Sequence, residues 1–192
     1  MSSRDDILGR VRACRLPPAE MPRVPAFDEG RDASLEAFAA SLARMGGKLA
    51  PCATDPASLV RELHRDARVI VSAAPEVKGT RDIAEVRSPA QLADVDVGVV
   101  RARLGVAEMG AVLVTESELV VDALAFLAQH LVVLLDPRDI VPGMHRAYAD
   151  AAFTEARYAS FLAGPSATAD IEGILIHGAQ GVRSLTVIPW PR

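Results

Sequence analysis

The chain has 192 residues, 50% of them hydrophobic and 24% charged, so a single soluble domain can bury its core without disulfides or metal. A formal net charge of -4 excludes a general nucleic-acid binder, whose affinity rests on clustered lysine and arginine. The opening MSSRDDILGR is charged where a signal peptide needs an apolar centre, and the longest apolar runs are of strand length, so the expectation is a cytoplasmic protein with no membrane insertion.

In chain order, Ser3 is a candidate N-cap for a short amphipathic helix with Asp5 and Asp6 in its first turn and Ile7, Leu8 and Val11 as apolar positions. The four prolines of LPPAEMPRVPAFDEG make residues 16–30 an extended tether, behind which the first helix can swing, swap or dock on a partner. Residues 1–30 therefore read as a helix and tether, and residues 31–192 as the folded domain. From Asp32 onward, Leu35, Phe38, Leu42 and Met45 recur at helical spacing, and Gly46 with Gly47 stands where a C-cap belongs; GGK is a helix stop and lacks phosphate-loop spacing. A short apolar run KLAPCA, a helix opening at Asp55 and Pro56, and the buried strand RVIVSA follow. Ser88 and Pro89 repeat the cap-and-proline signal before DVGVV, and GAVLVT and HLVVLLD are too apolar to face water on either side. GMHRAYADAAFTEARYASFL predicts one long helix with Met144, Tyr148, Ala152, Ala156 and Tyr158 available for one face.

Alternating helices and doubly buried strands predict an α/β fold, a mostly parallel sheet with helices on both faces. Ligands of such sheets gather at the carboxyl ends of strands, which directs attention to the residues after DVGVV, those after HLVVLLD, and GPSATADIE.

No G-x-S-x-G elbow and no G-x-G-x-x-G after a strand is present, so hydride-transfer and serine-hydrolase chemistry have no motif to rest on. Cys14 and Cys52 stand far apart and read as small buried hydrophobes. His64, His130, His145 and His177 are isolated in sequence, with no pair at metal spacing, and no metal ligands are expected. His64 reads as a solvated residue on an exposed helix face, and His130, at the start of a buried strand, as a capping or hydrogen-bonding group.

Glu108, in VAEMGAVLV, immediately precedes an apolar strand, where a carboxylate must find a partner or rise in pKa. Arg101 and Arg103 are the candidate partners from upstream; a structural ion pair and an active-site acid, base or nucleophile both remain open. In GPSATADIEG, residues 164–173, Gly164 and Pro165 break what precedes, Ser166 or Thr168 can cap a helical turn, and Asp170 and Glu172 suit its positive end. The same turn can hold an anion, and capping takes only one hydroxyl and one acid where the stretch has two of each. The candidate catalytic residues are therefore Glu108 and Asp170, and the candidate ligand-binding residues Gly164, Ser166, Thr168, Glu172 and Arg101.

GPSATADIE, the following ILIHGAQGVRSLTVI, the upstream AEMGAVLVTES and HLVVLLDPRDIV, in this order and spacing, resemble the lactate-utilisation LUD domain of the LutC/YkgG group over roughly residues 60–190. The chain departs from that pattern at Met109, where the family usually has threonine, and at Ala179-Gln180-Gly181-Val182, where it usually has Val-His-Gly-Pro. The resemblance implies a fold similar to the group of glucosamine-6-phosphate deaminase, ribose-5-phosphate isomerase and the CoA transferases. It also implies a role in oxidising L-lactate to pyruvate, as the non-redox member of a three-part system whose other parts carry iron–sulfur clusters. A cluster takes about four thiolates and this chain has two cysteines, so no cofactor is expected here and iron–sulfur subunits are the expected partners. Two alternatives stay open. One is a stand-alone enzyme acting on a small anionic metabolite of acyl-CoA or sugar-phosphate type, with Glu108 as acid, base or nucleophile; the other is a ligand-sensing module without catalysis, toward which Met109 and Gln180 lean.

Overall fold

The computed structural model describes residues 3–16, 19–20, 22–25, 27–169, 172–178 and 180–192. In chain order the first half comprises α1 (Ser3–Ala13), α2 (Leu35–Arg44), β1 (Lys48–Leu49), α3 (Pro56–Leu63), β2 (Ile70–Ser72), β3 (Arg81–Asp82) and β4 (Val97–Arg101). There follow β5 (Leu104–Val106), β6 (Ala111–Thr115), α4 (Glu116–Leu119), α5 (Leu124–Leu127), β7 (His130–Leu135) and β8 (Ile140–Val141). The last elements are α6 (Met144–Tyr148), α7 (Ala152–Glu155), β9 (Ala159–Leu162), β10 (Ala167–Thr168), β11 (Ile176–His177) and β12 (Ser184–Pro189).

Local signals place the early helices. Ser34 caps α2, its Oγ accepting the Ala37 N–H at 3.1 Å. At the other end Gly46 takes φ +82°, and the Gly46 and Gly47 N–H groups close the helix on the carbonyls of Ala43 and Leu42. Asp55 caps α3 through the N–H groups of Ala57 and Ser58, with Pro56 in the first turn. Ser88 and Gln91 form a capping box around a single 3-10 turn, Pro89–Leu92.

The central sheet is parallel throughout, in the order β1-β12-β7-β4-β2-β3. Because side chains alternate across a strand, its apolar runs feed two cores. Leu131, Val133, Leu135, Leu185 and Val187 join Phe38 and Leu42 of α2 on one face. Val132, Leu134, Val97, Val99 and Ile188 meet Val60 of α3 on the other.

A second sheet, β8-β5-β6-β9, was not visible in the sequence pattern. GAVLVT supplies its β6, antiparallel to both neighbours and not part of the parallel sheet. Val112, Val114 and Leu162 turn inward to the core that holds α2, while Leu104, Leu113 and Phe161 turn outward onto Ala147 and Ala152 of α6 and α7. The single helix expected over residues 143–162 is instead α6, α7 and β9. Asp150 interrupts it: its carboxylate accepts the Ala152 N–H at 2.8 Å and pairs with Arg103. Glu116 then accepts the N–H groups of Arg157 and Tyr158, drawing the chain into the β6–β9 ladder, and the ladder overrides the helical periodicity.

Helix α1 forms as expected but buries none of its residues, leaving Ile7 61% and Val11 64% exposed. Cys14 and Cys52 are both exposed, contrary to the expectation of buried hydrophobes; one follows the unpacked α1 and the other lies in the loop after β1. No helix among the described residues is long and apolar enough to cross a membrane.

Phe38 is fully buried between α2 and the sheets. Phe38→Ala is expected to cost about 3–5 kcal/mol, read as a lowered urea midpoint with unchanged slope.

Candidate functional site

The β6–β9 register pairs Val112 with Leu162, which sets the β5–β6 turn, residues 107–110, beside the residues that follow β9. The AEMG and GPS motifs thus meet at one end of the second sheet, and both lean on the last turns of α2. Gly110 has φ +62° and a Cβ there would lie 2.0 Å from the Leu42 nitrogen; Gly164 has φ +78° and its Cβ would lie 2.0 Å from the Met45 carbonyl oxygen. Only glycine satisfies both the left-handed backbone and the close approach.

Glu108, in the same turn, forms an ion pair with Arg31 and accepts the Met144 N–H at 3.1 Å. The Arg31 hydrogen bond, with the Met144 N–H second, holds its carboxyl below the usual range against a smaller opposing effect of burial. The neighbouring contacts belong to the same clamp. Phe27 packs edge-on against His145 at 5.1 Å between ring centres, and Asp28 pairs with Arg146. Residues 27–31, at the end of the proline-rich segment, are thereby fastened to the start of α6. Neither arginine suggested by sequence proximity is the partner. Arg101 pairs with Glu76 and donates to the Trp190 carbonyl at 3.2 Å, and Arg103 pairs with Asp150 at 2.5 Å. Both precede β5, whose length carries Glu108 to the far end of the hairpin.

In GPSATADIEG, the described residues before Asp170 do not cap a helix. Ala167 and Thr168 pair antiparallel with His177 and Ile176 and form one arm of a β-hairpin. The Ser166 N–H donates to the Val182 carbonyl at 3.0 Å and the Gly178 N–H to the Ser166 carbonyl at 2.6 Å, which anchors the arm to the chain entering β12. Gly164, Pro165 and Ser166 line a cavity of about 280 Å³ whose wall includes Phe126, Phe161 and Val182, with Gln180 at its polar side. Glu108 and Arg101 are not among its lining residues. Thr168 lies in β10, Glu172 is exposed at the hairpin turn with φ +53°, and Asp170 lies outside the described residues.

The other two junctions, at the carboxyl edge of the parallel sheet, are filled by internal ion pairs. Asp136 is buried, with its carboxylate on the Arg138 guanidinium at 2.7 Å and on the Arg192 N–H at 2.8 Å, and Arg138 holds its carboxyl far below the usual range. Residues 190–192 fold across the ends of β4 and β7, and ligand space at this edge lies instead beyond β2, in a cavity of about 750 Å³ lined by Ser72, Ala74, Lys78 and Asp82. Sequence reasoning missed Arg31, Met144, Arg138 and Arg192; none lies near its partner carboxylate in a way that periodicity records, except Arg138, two residues from Asp136.

The family model described as the LUD domain matches residues 18–188, most of the chain. Among solved structures, a DUF162 family protein from Deinococcus radiodurans, a crystal structure at 1.70 Å resolution, superposes with a TM-score of 0.64 at 16% identity, covering 81% of this chain and 94% of that one. At that identity the likeness is one of fold. No curated protein matches the chain.

Gly110→Ala and Gly164→Ala are each expected to cost about 4 kcal/mol or more, the range of backbone collisions and strain. Gly173 shares the left-handed backbone, φ +70°, but faces open space, so Gly173→Ala is expected to cost only about 1–2 kcal/mol. Urea unfolding of the three variants measures the difference. Arg31→Ala should raise the Glu108 pKa toward the ordinary glutamate value, read by carboxyl-carbon NMR. Because the wild-type value is lowered on folding, the Glu108 contribution to stability is present above the ordinary glutamate pKa and is lost as pH falls through the lowered one; Arg31→Ala should lose that acid sensitivity.

Proposed function

Because this chain belongs to the LUD domain family, we propose that it serves lactate utilisation as a non-redox subunit or accessory protein of an iron–sulfur system oxidising L-lactate to pyruvate, within the LutC/YkgG group. In that reaction the substrate gives up two electrons and two protons, and the electrons pass to iron–sulfur partners. The chain's two cysteines sit exposed on separate segments, and a cluster takes about four thiolates.

The observation that carries the subunit reading is the surface beside the family motif. The hairpin that begins with GPSAT presents Ile174 62% and Leu175 58% exposed, followed by the exposed Ile176. Consecutive apolar side chains on a projecting arm suit a protein partner better than water. Helix α1, with Ile7 and Val11 outward, offers a second such element ahead of the proline-rich segment. Ser166 and Gln180 supply the hydrogen-bonding groups by which the adjoining cavity would take a small anionic ligand.

Glu108 has a positioning role in this reading. A general acid needs a raised pKa, and Glu108 has the opposite, while a nucleophile there would have to leave Arg31 first. The carboxylate instead fixes the β5–β6 turn against residues 27–31.

The test is gentle anaerobic purification of the tagged full chain from its native host, with L-lactate-dependent dye reduction as the assay. Iron–sulfur proteins should co-elute and the eluate should reduce the dye. Deletion of residues 1–30 should weaken co-elution several-fold while Glu108→Gln retains most activity. A partnerless preparation that turns over an acyl-CoA or sugar phosphate, and loses that turnover in Glu108→Gln, would favour the stand-alone enzyme instead.

A further inference from the structure

The central strands run parallel, so the residues that open β1, β4, β7 and β12 share one edge, opposite the edge closed by Arg101 and Asp136. A cleft of about 490 Å³ lies there, with Lys48, His130 and Ser184 from the strand starts, Asp96 just before β4, and His64 with Arg65 from the end of α3. Neither the AEMG nor the GPS motif contributes to it.

Two imidazoles face each other in this cleft. The His64 and His130 ring centres are 4.9 Å apart, with 34° between the ring planes. His130 Nδ1 is 2.7 Å from the Ser184 hydroxyl, while His64 Nε2 is buried and finds no hydrogen-bond partner among the described residues. An unmade hydrogen bond on a buried nitrogen is costly and favours any rearrangement that supplies a partner. Charges of both signs line the cleft. Asp96 already accepts the N–H groups of Arg68 and Val69 at 2.7 and 2.9 Å. Lys48 and Arg65 line the cleft, Arg183 acts on His130 from just before β12, and Asp66 is the other acid present. Donors outnumber free acceptors, and the hydroxyls of Ser184 and Thr186 and the amide of Gln129 extend the polar lining.

We propose that this cleft is a second ligand site that binds a small oxyanion of the carboxylate or phosphate class through Lys48 and His130, with His64 turning from its unpartnered position to join them. Burial lowers the pKa of both histidines, with the facing ring adding to it at His64 and Arg183 outweighing Asp96 at His130, so the cleft without an anion holds them neutral near pH 7. A bound anion reverses that balance and restores an imidazolium. Binding therefore takes up a proton and tightens as pH falls, until the histidines are charged without ligand. The inference stands apart from the lactate reading, because the cleft lies away from the AEMG and GPS motifs and any oxyanion that fits satisfies it.

The experiment titrates the full chain with sulfate and, separately, with L-lactate, following the histidine ring signals by proton–carbon NMR at about pH 6 and pH 8, with sodium chloride at matched ionic strength as the control. Both probes keep a constant charge over that interval, so pH acts only through the protein. Saturable shifts of the His64 and His130 signals are expected, tightening up to about tenfold per pH unit as one proton is taken up. Lys48→Ala should weaken binding about tenfold or more without changing the thermal midpoint, and His130→Gln should abolish the pH dependence. A response to sulfate alone supports the phosphate class, and one to L-lactate alone supports the carboxylate class. Shifts no larger than those of chloride would overturn the proposal, as would binding unaffected by Lys48→Ala. Should His130→Gln not fold, Lys48→Ala, at the exposed end of an edge strand, still decides the matter.

Discussion

The arrangement depends on how closely two turns can approach one helix. The residues after β5 and after β9 both bring main chain within about a van der Waals contact of the α2 backbone, and each does so at a glycine with left-handed φ. A side chain at either position would push the second sheet off α2, and with it the inward-facing Val112, Val114 and Leu162 that share a core with Phe38. The two motif segments are thus parts of one contact. Their co-occurrence follows from backing the same helix as much as from serving a ligand.

Electrostatics then divide the parallel sheet into two unlike edges. At the carboxyl edge the charges are used internally: Asp136 with Arg138 and the Arg192 N–H, and Arg101 with Glu76 and the Trp190 carbonyl. These pairs close the ends of β4 and β7. At the amino edge the imidazoles are close, partly buried and incompletely hydrogen-bonded, and Lys48 lies in the same cleft. Polar groups that are fully paired hold the fold, and those left with unused donors are where a ligand gains most.

Much of the parallel sheet is legible because its strands carry uninterrupted apolar runs and the Asp55 and Ser88 caps are local signals. The second sheet is not, because short strands such as Leu104–Val106 and Ile140–Val141 gain their identity only from neighbours across the ladder. The residues 143–162 carry a helical spacing that Asp150 and Glu116 defeat through hydrogen bonds from outside the segment. The same limit applied to the site. The two motifs were readable, as was the need for Glu108 to find a partner, but the partner came from Arg31 and not from the nearer Arg101 or Arg103. The helix position of His64 predicts a solvated side chain, whereas contact with His130 depends on the α3–β7 packing.

Glu108 shows how a carboxylate in a family motif can be held for reasons other than reaction. Its oxygens bind a guanidinium from the segment before α2 and an N–H at the start of α6, and Gly143 leaves room for that approach, since a Cβ there would stand 3.0 Å from Oε2. The side chain therefore ties three stretches distant in sequence: the end of the proline-rich segment, the β5–β6 turn and α6. Phe27 on His145 and Asp28 on Arg146 repeat the tie beside it. The clamp thus fixes residues 27–31 against the turn that carries the AEMG motif. A change at Glu108 therefore bears first on the segment that leads into α2, because Arg31 loses its carboxylate partner there.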